Sequence, residues 1–214
     1  MTRLNKKWIF LDNDGVLVDT EALYFQANRE TLARVGIDLT RDLFERISIK
    51  QGRSTFTLAK DRGIDPETLH NLHEARNLRY SQLLKNGIRV MEGVYETLDR
   101  LAGKCSMGVV TSCRKMHFDL IHKDLQILDY FDFVITSEDV NHTKPDPEPY
   151  LMALEKSGCM PADCLVVEDA ERGLNSATAA GIDCIVIPNG FTMQQDFSSA
   201  YRILDNISVV IDFF

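Results

Sequence analysis

The sequence has little of what marks a secreted or membrane-bound protein. It contains five cysteines, an odd number, with no CxxC pair and no histidine-rich spacing around them. This usage argues against a disulfide framework or a structural zinc site and favours reduced thiols. The stretch before the first acidic cluster has only about four consecutive apolar residues, too few for a signal peptide or a membrane span. We therefore expect a cytoplasmic protein that does not contact a membrane.

Positive charge is also scarce. The chain carries 24 lysines and arginines against 32 aspartates and glutamates, which gives a formal net charge of -8. Proteins that bind nucleic acid or anionic membranes depend on lysine and arginine, so this balance argues against both classes of partner. No repeat or low-complexity stretch is visible. Any anionic ligand must therefore meet positive charge that is concentrated locally.

The second half of the chain has the rhythm of an α/β protein. From Cys105 onward, short β-branched runs such as MGVVTS, FDFVIT, CLVVED and CIVIP alternate with helical patterns. Repeated βα units of this kind predict a Rossmann-like parallel sheet with helices on both faces. The apolar run WIFL before Asp12 belongs to the same set. Because this run is unbroken rather than alternating, we expect a central strand that is buried on both sides.

Residues 21–87 differ from the rest of the chain. Four helix-like segments follow one another there without a convincing strand: EALYFQANRETLARVG, RDLFERISI, RSTFTLAKDRG and PETLHNLHEARNLRYSQLLKNG. We interpret them as an all-helical cap inserted into a core made of residues 1–20 and 88–214, since 214 residues suit one domain with an insertion. Because the insertion follows the first strand directly, the cap is expected to cover the carboxyl end of that strand.

Polar side chains that can carry out chemistry follow the apolar runs. In an open parallel sheet, ligands bind outside the carboxyl ends of the strands, so these side chains are expected to meet at one site. They are Asp12 and Asp14 after WIFL, Thr111 and Ser112 after GVV, Lys144 after FDFVIT, and Glu168 and Asp169 after LVV. Mg²⁺ prefers oxygen ligands, and hydroxyls at a helix start can bind phosphate oxygens. The set therefore predicts a site that handles a phosphate with Mg²⁺.

The first acidic cluster has two other interpretations. An Asp-Gly pair at Asp14 and Gly15 suits a hairpin turn, although a turn explains none of the other strand-end residues. Asp12, Asp14, Gly15 and Glu21 also fall at positions 3, 5, 6 and 12 of an EF-hand loop. Position 1 would then be Phe10, whose ring cannot bind calcium, and a β-like run precedes it instead of a helix. The catalytic interpretation is favoured.

Four stretches of the sequence together resemble a known family. They are "DNDGVLVDT", "VVTS", "KPDPEPY" and "VVEDAERGLNSATAAG", in this order along the chain. Their order and residues are similar to the motifs of haloacid dehalogenase-like hydrolases, in the subgroup with a small helical cap that includes β-phosphoglucomutase and sugar phosphatases. The resemblance implies a Rossmann-like catalytic core, an inserted helical cap and Mg²⁺ as cofactor.

The resemblance also implies roles for the strand-end residues. Asp12 would attack phosphorus to form an aspartyl-phosphate, and Asp14 would act as general acid and then as general base. Mg²⁺ would be bound by the Asp12 carboxylate, the backbone carbonyl of Asp14 and Asp169, with Glu168 in support. The phosphoryl oxygens would be held by Lys144 and Thr111, and Ser112 is expected to assist through its hydroxyl or backbone N–H.

Cap residues bear on the choice of substrate and reaction. Arg53, in "KQGRST", is expected at a helix start and resembles a second anion contact of the subgroup. Tyr24 stands where β-phosphoglucomutase has a histidine, and a phenol replaces imidazole poorly in proton transfer. His117, His122 and His142 show no metal-ligand spacing and are expected to be exposed or structural.

The favoured function is a Mg²⁺-dependent phosphatase for a small phosphorylated metabolite such as a sugar phosphate. The alternative is a β-phosphoglucomutase-like phosphosugar mutase. A dehalogenase or a non-catalytic binding module is disfavoured, because Asp12 and Asp14 are both present. The sequence leaves the oligomeric state open.

Overall fold

The strands form one six-stranded parallel sheet and a separate two-stranded ribbon. The computed structural model describes residues 6–214, so the first five residues of the predicted core segment 1–20 lie outside the described part. The described strands are β1 (Trp8–Leu11), β2 (Val18–Asp19), β3 (Arg89–Val90), β4 (Ser106–Val110), β5 (Phe133–Ile135), β6 (Cys164–Glu168), β7 (Asp183–Val186) and β8 (Arg202–Ile203). The sheet order is β5-β4-β1-β6-β7-β8, and every neighbouring pair is parallel. β2 and β3 pair with each other in antiparallel orientation.

The helices fall into two groups along the chain. They are α1 (Glu21–Ala33), α2 (Arg41–Phe44), α3 (Thr57–Asp61), α4 (Pro66–Leu84), α5 (Val94–Leu101), α6 (Lys115–His122), α7 (Glu148–Ser157) and α8 (Glu171–Ala179). α2 continues into a wider π-helical turn at Glu45–Lys50, and 3₁₀ segments cover Leu128–Tyr130, Pro161–Asp163 and Ile207–Phe213. Between residues 6 and 214, no helix is both long enough and apolar enough to cross a bilayer.

β1 is the central strand that its unbroken apolar run predicts. Ile9 and Leu11 are fully buried against the helices on one face of the sheet, and Phe10 is fully buried in the cluster on the other face. The first face packs against α5 and α6, and the second packs against α7 and α8. The predicted Rossmann-like α/β core is therefore confirmed.

The first four helices build the cap around an apolar cluster that also includes Ala170 of the core. This cluster includes Leu32, Phe44 and Leu72 from three different helical segments. α4 begins as predicted at Pro66, with the Asp65 side chain accepting a hydrogen bond from the backbone N–H of Thr68 at 2.9 Å. The structure thus contains the inserted helical segment that the sequence predicts.

One helix of the cap starts later than expected. The prediction placed Gly52 and Arg53 at a helix start, but α3 begins only at Thr57. Gly52 has a φ of +62°, which terminates the preceding helix and leaves residues 51–56 as a loop. This loop approaches the core, since an ideal Cβ at Gly52 would lie 3.1 Å from the Lys144 carbonyl oxygen. Arg53 therefore sits on a loop that faces the core.

The cap is held against the core by contacts with the loop after β7 and with the start of α8. The Arg41 guanidinium lies 4.3 Å from the centre of the Phe191 ring. Lys50 pairs with Glu171 at 3.0 Å. The antiparallel β2–β3 ribbon lies where the chain leaves and re-enters the core. The boundaries of the cap at residues 21 and 87 stay a prediction.

Candidate active site

The carboxyl ends of β1, β4 and β6 meet below the cap, and the loops after β1 and β4 line a cavity of about 290 Å³ there. Asp12, Asp14, Thr111 and Ser112 line it from the core, and Arg53 lines it from the cap loop. The remaining predicted residues, Lys144, Glu168 and Asp169, are each no more than 2% exposed. Lys144 forms hydrogen bonds with both Asp12 and Glu168. The residues predicted from the strand ends are therefore brought together.

A tight turn orients the two aspartates that follow β1. The backbone N–H of Gly15 donates to the Val18 carbonyl at 2.8 Å, and that of Leu17 donates to the Asn13 carbonyl at 2.8 Å. Gly15 has a φ of +86°, and a Cβ there would collide with the Asp169 carboxylate. The turn interpretation of the Asp-Gly pair and the catalytic interpretation are therefore compatible, because the turn brings Gly15 against the second acidic cluster.

Lys144 links the three strand ends. Its Nζ donates to Asp12 Oδ1 at 2.8 Å, to the Val110 carbonyl at 2.7 Å and to Glu168 Oε1 at 2.5 Å. Burial alone would lower the pKa of Lys144, but the Asp12 and Glu168 carboxylates raise it above its ordinary value. The lysine is therefore a permanent cation beside Asp12.

These bonds limit what else Lys144 can do. An ammonium has three N–H donors, and all three are used within the protein. A direct bond from Lys144 to a phosphoryl oxygen would require one of them to be released. In this arrangement Lys144 orients Asp12 and balances its charge.

The Asp14 carboxylate is half-buried at the cavity wall and is held from both sides. Thr20 donates to Oδ1, while Oδ2 accepts from Asn13 Nδ2 at 3.1 Å and from Thr111 Oγ1 at 3.5 Å. Burial and the neighbouring Asp12 carboxylate raise the pKa of Asp14 above its ordinary value. A carboxyl group with a raised pKa beside the cavity is suited to proton transfer.

The acidic groups at the end of β6 fit a hard metal cation. Asp12, Glu168 and Asp169 each place one carboxylate oxygen within 4.8 Å of the others, and all three are buried. Burial, then the carboxylates of Glu21, Asp12 and Glu168, raise the pKa of Asp169 well above its ordinary value. Such crowding of buried negative charge is relieved by a divalent cation, and the all-oxygen donor set is the one that Mg²⁺ prefers.

Two charged residues of the site were missed in the sequence. Glu21 and Arg172 line the cavity and stand at the first and second positions of α1 and α8. Burial and the nearby Asp14 carboxylate raise the pKa of Glu21 to about 8. A signal was present, because each residue closely follows a strand-end motif and starts a helix at the same edge of the sheet.

Ser112 and Thr111 occupy the loop between β4 and α6. Thr111 Oγ1 accepts a hydrogen bond from the backbone N–H of Cys113 at 2.9 Å. Ser112 Oγ is buried at the cavity wall and has no hydrogen-bond partner among residues 6–214. A buried hydroxyl without a partner is costly unless a ligand supplies one. The loop is therefore suited to contact an oxyanion.

The cap side of the cavity carries positive charge. Arg76 donates to the Tyr24 hydroxyl and, through Nε, to Asn77 Oδ1 at 3.0 Å, and its guanidinium lies 4.9 Å from the centre of the Tyr24 ring. In the described part of the chain, neither Arg76 nor Arg53 forms an ion pair with a carboxylate. Both guanidinium groups remain available to an anionic or hydroxyl-bearing part of a ligand.

The three histidines considered in the sequence analysis, of five in the chain, have different surroundings. His142 is exposed and bonds to Glu148, and His122 is buried beside Asn13, as an exposed or structural role predicts. His117 is also buried, but it lines the cavity and its Nε2 has no partner within residues 6–214. Burial lowers the pKa of His117. Nothing in the sequence predicted that His117 would line the cavity.

Gly173 lies where a side chain would overlap the Glu168 carboxylate. Glu168 cannot move aside, because Lys144 and Tyr150 both donate to its Oε1. Although alanine favours helix, we expect Gly173→Ala to lower the free energy of unfolding by about 1–3 kcal/mol, the usual cost of overpacking. Urea denaturation measures this change. Gly190→Ala, whose nearest neighbour would lie at 3.6 Å, is the control. Equal stability of the two variants would contradict the expectation.

Comparisons with known proteins identify the family of the chain. A family model described as haloacid dehalogenase-like hydrolase matches residues 9–187. The chain is 31% identical to Protein CbbY of Rhodobacter capsulatus over 211 residues, 93% of each chain. It is 32% identical to a phosphorylated carbohydrates phosphatase of Thermotoga maritima over 182 residues, 83% of this chain and 82% of that one.

A solved structure supports the same assignment. The crystal structure of CbbY from Rhodobacter sphaeroides in complex with phosphate has a TM-score of 0.78 and 25% identity, and the match covers 95% of both chains. The matched range 9–187 contains all four motifs of the resemblance. The chain therefore belongs to the haloacid dehalogenase-like hydrolases.

Proposed function

We propose that this protein is a Mg²⁺-dependent phosphatase that hydrolyses a small phosphorylated carbohydrate through an aspartyl-phosphate on Asp12. One observation carries the proposal: the Asp12 carboxylate lies at the cavity floor, 2.8 Å from the Lys144 ammonium and within the acidic cluster of Glu168 and Asp169. Asp14, two residues further on, borders the same cavity. A nucleophile and a proton donor thus border one cavity, and the nucleophile also belongs to the cation site.

In the first step, an oxygen of Asp12 attacks phosphorus. Lys144 bonds Oδ1, which leaves Oδ2 for the attack. The bond from phosphorus to the leaving oxygen breaks, and Asp14 gives its proton to that oxygen, so the product departs as a neutral alcohol. The phosphoryl group is then carried by Asp12 as an acyl phosphate.

In the second step, Asp14 acts as a base. Its carboxylate takes a proton from a water molecule as the water oxygen attacks phosphorus. The bond between phosphorus and the Asp12 oxygen breaks, which releases inorganic phosphate and restores the Asp12 carboxylate. The raised pKa of Asp14 suits both directions of proton transfer.

The proposed metal ligands are the carboxylates of Asp12 and Asp169 and the backbone carbonyl of Asp14. Glu168 supports them while one of its oxygens stays bonded to Lys144 and Tyr150. Bound Mg²⁺ supplies positive charge to the phosphoryl oxygens and orients them. Among the described residues, the cluster of Asp12, Glu168 and Asp169 has one paired cation, Lys144, which supports a metal requirement.

The substrate is proposed to lie between the β4 loop and the cap. Ser112 and Thr111 contact the phosphoryl oxygens, with Lys144 acting mainly through its charge. Arg53 and Arg76 face the other end of the substrate. The printed name of the Thermotoga maritima relative supports a carbohydrate as the body of the substrate. A cytoplasmic location and small-molecule substrates remain part of the proposal.

Hydrolysis is favoured over mutase activity by the surroundings of Tyr24. A mutase must exclude water until a sugar hydroxyl accepts the phosphoryl group, which calls for a gated base. Tyr24 lines the cavity with its hydroxyl accepting a bond from Arg76, a cation that does not take up protons. Tyr24 therefore does not supply the base that a mutase needs, and water activated by Asp14 can attack the phosphoryl group.

A product assay tests the proposal. We would screen phosphorylated carbohydrates with Mg²⁺ and follow free phosphate and isomerised sugar phosphate together, including β-glucose 1-phosphate with a trace of its bisphosphate. Free phosphate is expected to form in a 1:1 ratio to substrate consumed, and not to form with Asp12→Asn. Glucose 6-phosphate appearing many times faster than free phosphate would instead establish the mutase.

A further inference from the structure

Asn13, between the two aspartates that follow β1, has a side chain that faces away from the cavity and into the core. It is 0% exposed, and its Oδ1 lies 2.6 Å from Nε2 of His122, the last residue of α6. On its other side, Asn13 Nδ2 donates to Asp14 Oδ2 at 3.1 Å. Three polar groups thus form a continuous chain from α6 to Asp14.

The direction of each hydrogen bond in this chain is determined by its ends. Once Asp14 has given up its proton, its carboxylate only accepts, so the Asn13 NH₂ group must face Asp14 and its Oδ1 must face His122. His122 must then carry its proton on Nε2. The remaining ring nitrogen, Nδ1, becomes a bare lone pair, and it has no partner among the described residues. A reversed amide would move the proton to Nδ1, where no atom of residues 6–214 accepts it.

The surroundings keep His122 in this state. It is 5% exposed and lies against the Phe118 ring at 4.3 Å between ring centres. Burial lowers the pKa of His122 to about 4, so the ring stays neutral near pH 7 and keeps a single N–H to donate. In this apolar layer the Asn13 amide is bonded to His122 Nε2 on one side and to the Asp14 carboxylate on the other.

We propose that His122 is a positioning residue that orients the Asp14 carboxylate through the Asn13 side chain. This inference rests on the proposed role of Asp14 as general acid. Thr20 bonds Oδ1 of that carboxylate and Asn13 bonds Oδ2, so the plane of the group is fixed at both oxygens. Without His122, the Asn13 amide loses its fixed orientation, and Asp14 no longer presents its proton to the leaving oxygen in a constant geometry.

The test uses two substrates of similar size that differ in their need for a proton. The leaving group of 4-nitrophenyl phosphate departs readily as an anion, whereas that of benzyl phosphate must be protonated. kcat/KM reports the first step, in which the leaving group departs. His122→Met is expected to lower kcat/KM for benzyl phosphate about 10-fold or more beyond its effect on 4-nitrophenyl phosphate, since general acid catalysis contributes about 10²–10⁴-fold.

A matched variant separates hydrogen bonding from packing. A glutamine side chain can place an N–H close to the position of His Nε2, so His122→Gln should keep the wild-type ratio of the two kcat/KM values. Asn13→Leu should reproduce the ratio of His122→Met, and the double variant should be no worse than either single one. Asn13→Leu also supplies the test if His122→Met does not fold. The exposed His142→Gln is the control.

The outcomes distinguish this inference from the proposed function. If Asp14→Asn shows the dependence on the leaving group but His122→Met and Asn13→Leu lower both substrates equally, the positioning role is wrong. A His122→Gln variant that behaves like His122→Met also overturns it. If Asp14→Asn itself shows no dependence on the leaving group, the proposed acid role of Asp14 fails, and the inference fails with it.

Discussion

Asp12→Asn is expected to lower the rate of phosphate release at least about 10³-fold while the protein stays folded. The amide keeps the shape of the carboxylate and can still accept the bond from Lys144, but it is neither a nucleophile nor an anionic metal ligand. Burial and the Asp12 charge together raise the pKa of Asp14, so removing that charge relieves repulsion in the site. The thermal midpoint without Mg²⁺ should therefore be unchanged or higher.

The control for this experiment is Asp19→Asn. Asp19 belongs to the same motif but lies on β2, where it pairs with Arg89 across the ribbon. This variant should keep its activity within a few-fold, as expected for a solvent-screened pair. Intact-mass measurement excludes deamidation of the new asparagine. An Asp12→Asn protein that retained a tenth of the wild-type rate would show that Asp12 is not the nucleophile.

Removing the metal is expected to have an effect of similar size. Chelation with EDTA should reduce phosphate release to below about 1% of the starting rate, and Mg²⁺ should restore it. Ca²⁺ should not restore it, because its longer and more variable coordination misplaces the nucleophile relative to the phosphate. Mg²⁺ should also raise the thermal midpoint of the wild-type protein, since a ligand that binds only the folded state stabilises it.

Variants of the two candidate metal-binding groups found among residues 6–214 show which group is responsible. Asp169→Asn should raise the Mg²⁺ concentration needed for half-maximal rate and abolish the thermal shift. The exposed group of His142, Asp146 and Glu148 could also bind a cation, and Asp146→Asn tests it. We expect no change there, because the Glu148 carboxylate already accepts from the backbone N–H groups of Asn141 and His142. Full activity in EDTA with no residual metal would refute the proposed cofactor.

The acidic chain must bind an anionic substrate against its own net charge of -8. Cationic side chains that line the cavity offset this negative charge locally. They are Arg172 near the acidic cluster, and Arg53 and Arg76 on the cap side. Lys144 lies beneath and holds Asp12. Because charges beyond about 10 Å are largely screened at physiological salt, these near groups outweigh the distant surface carboxylates.

The family and the fold could be read from the sequence, and both are confirmed. The apolar runs with their β-branched residues predicted the strands. The absence of such runs between residues 21 and 87 predicted the helical insertion. Asp12, Lys144 and Asp169 could be grouped because parallel strands end at the same edge of a sheet. Their catalytic roles stay predictions until the variants are measured.

Other features depended on packing between segments far apart in the chain. The local sequence did not predict that His122 contacts Asn13, 109 residues away. Nor did it predict that all three N–H donors of Lys144 bond to other groups of the protein. Likewise, Arg76 meets Tyr24 only because α4 packs on α1. Periodicity and motifs indicate which face of an element is buried and which residues come directly after a strand. Which side chains contact each other depends on how the helices pack on the rest of the protein and exclude water. The sequence by itself determined the family, the fold and the strand-end residues, and the tertiary structure alone decided how those residues are oriented.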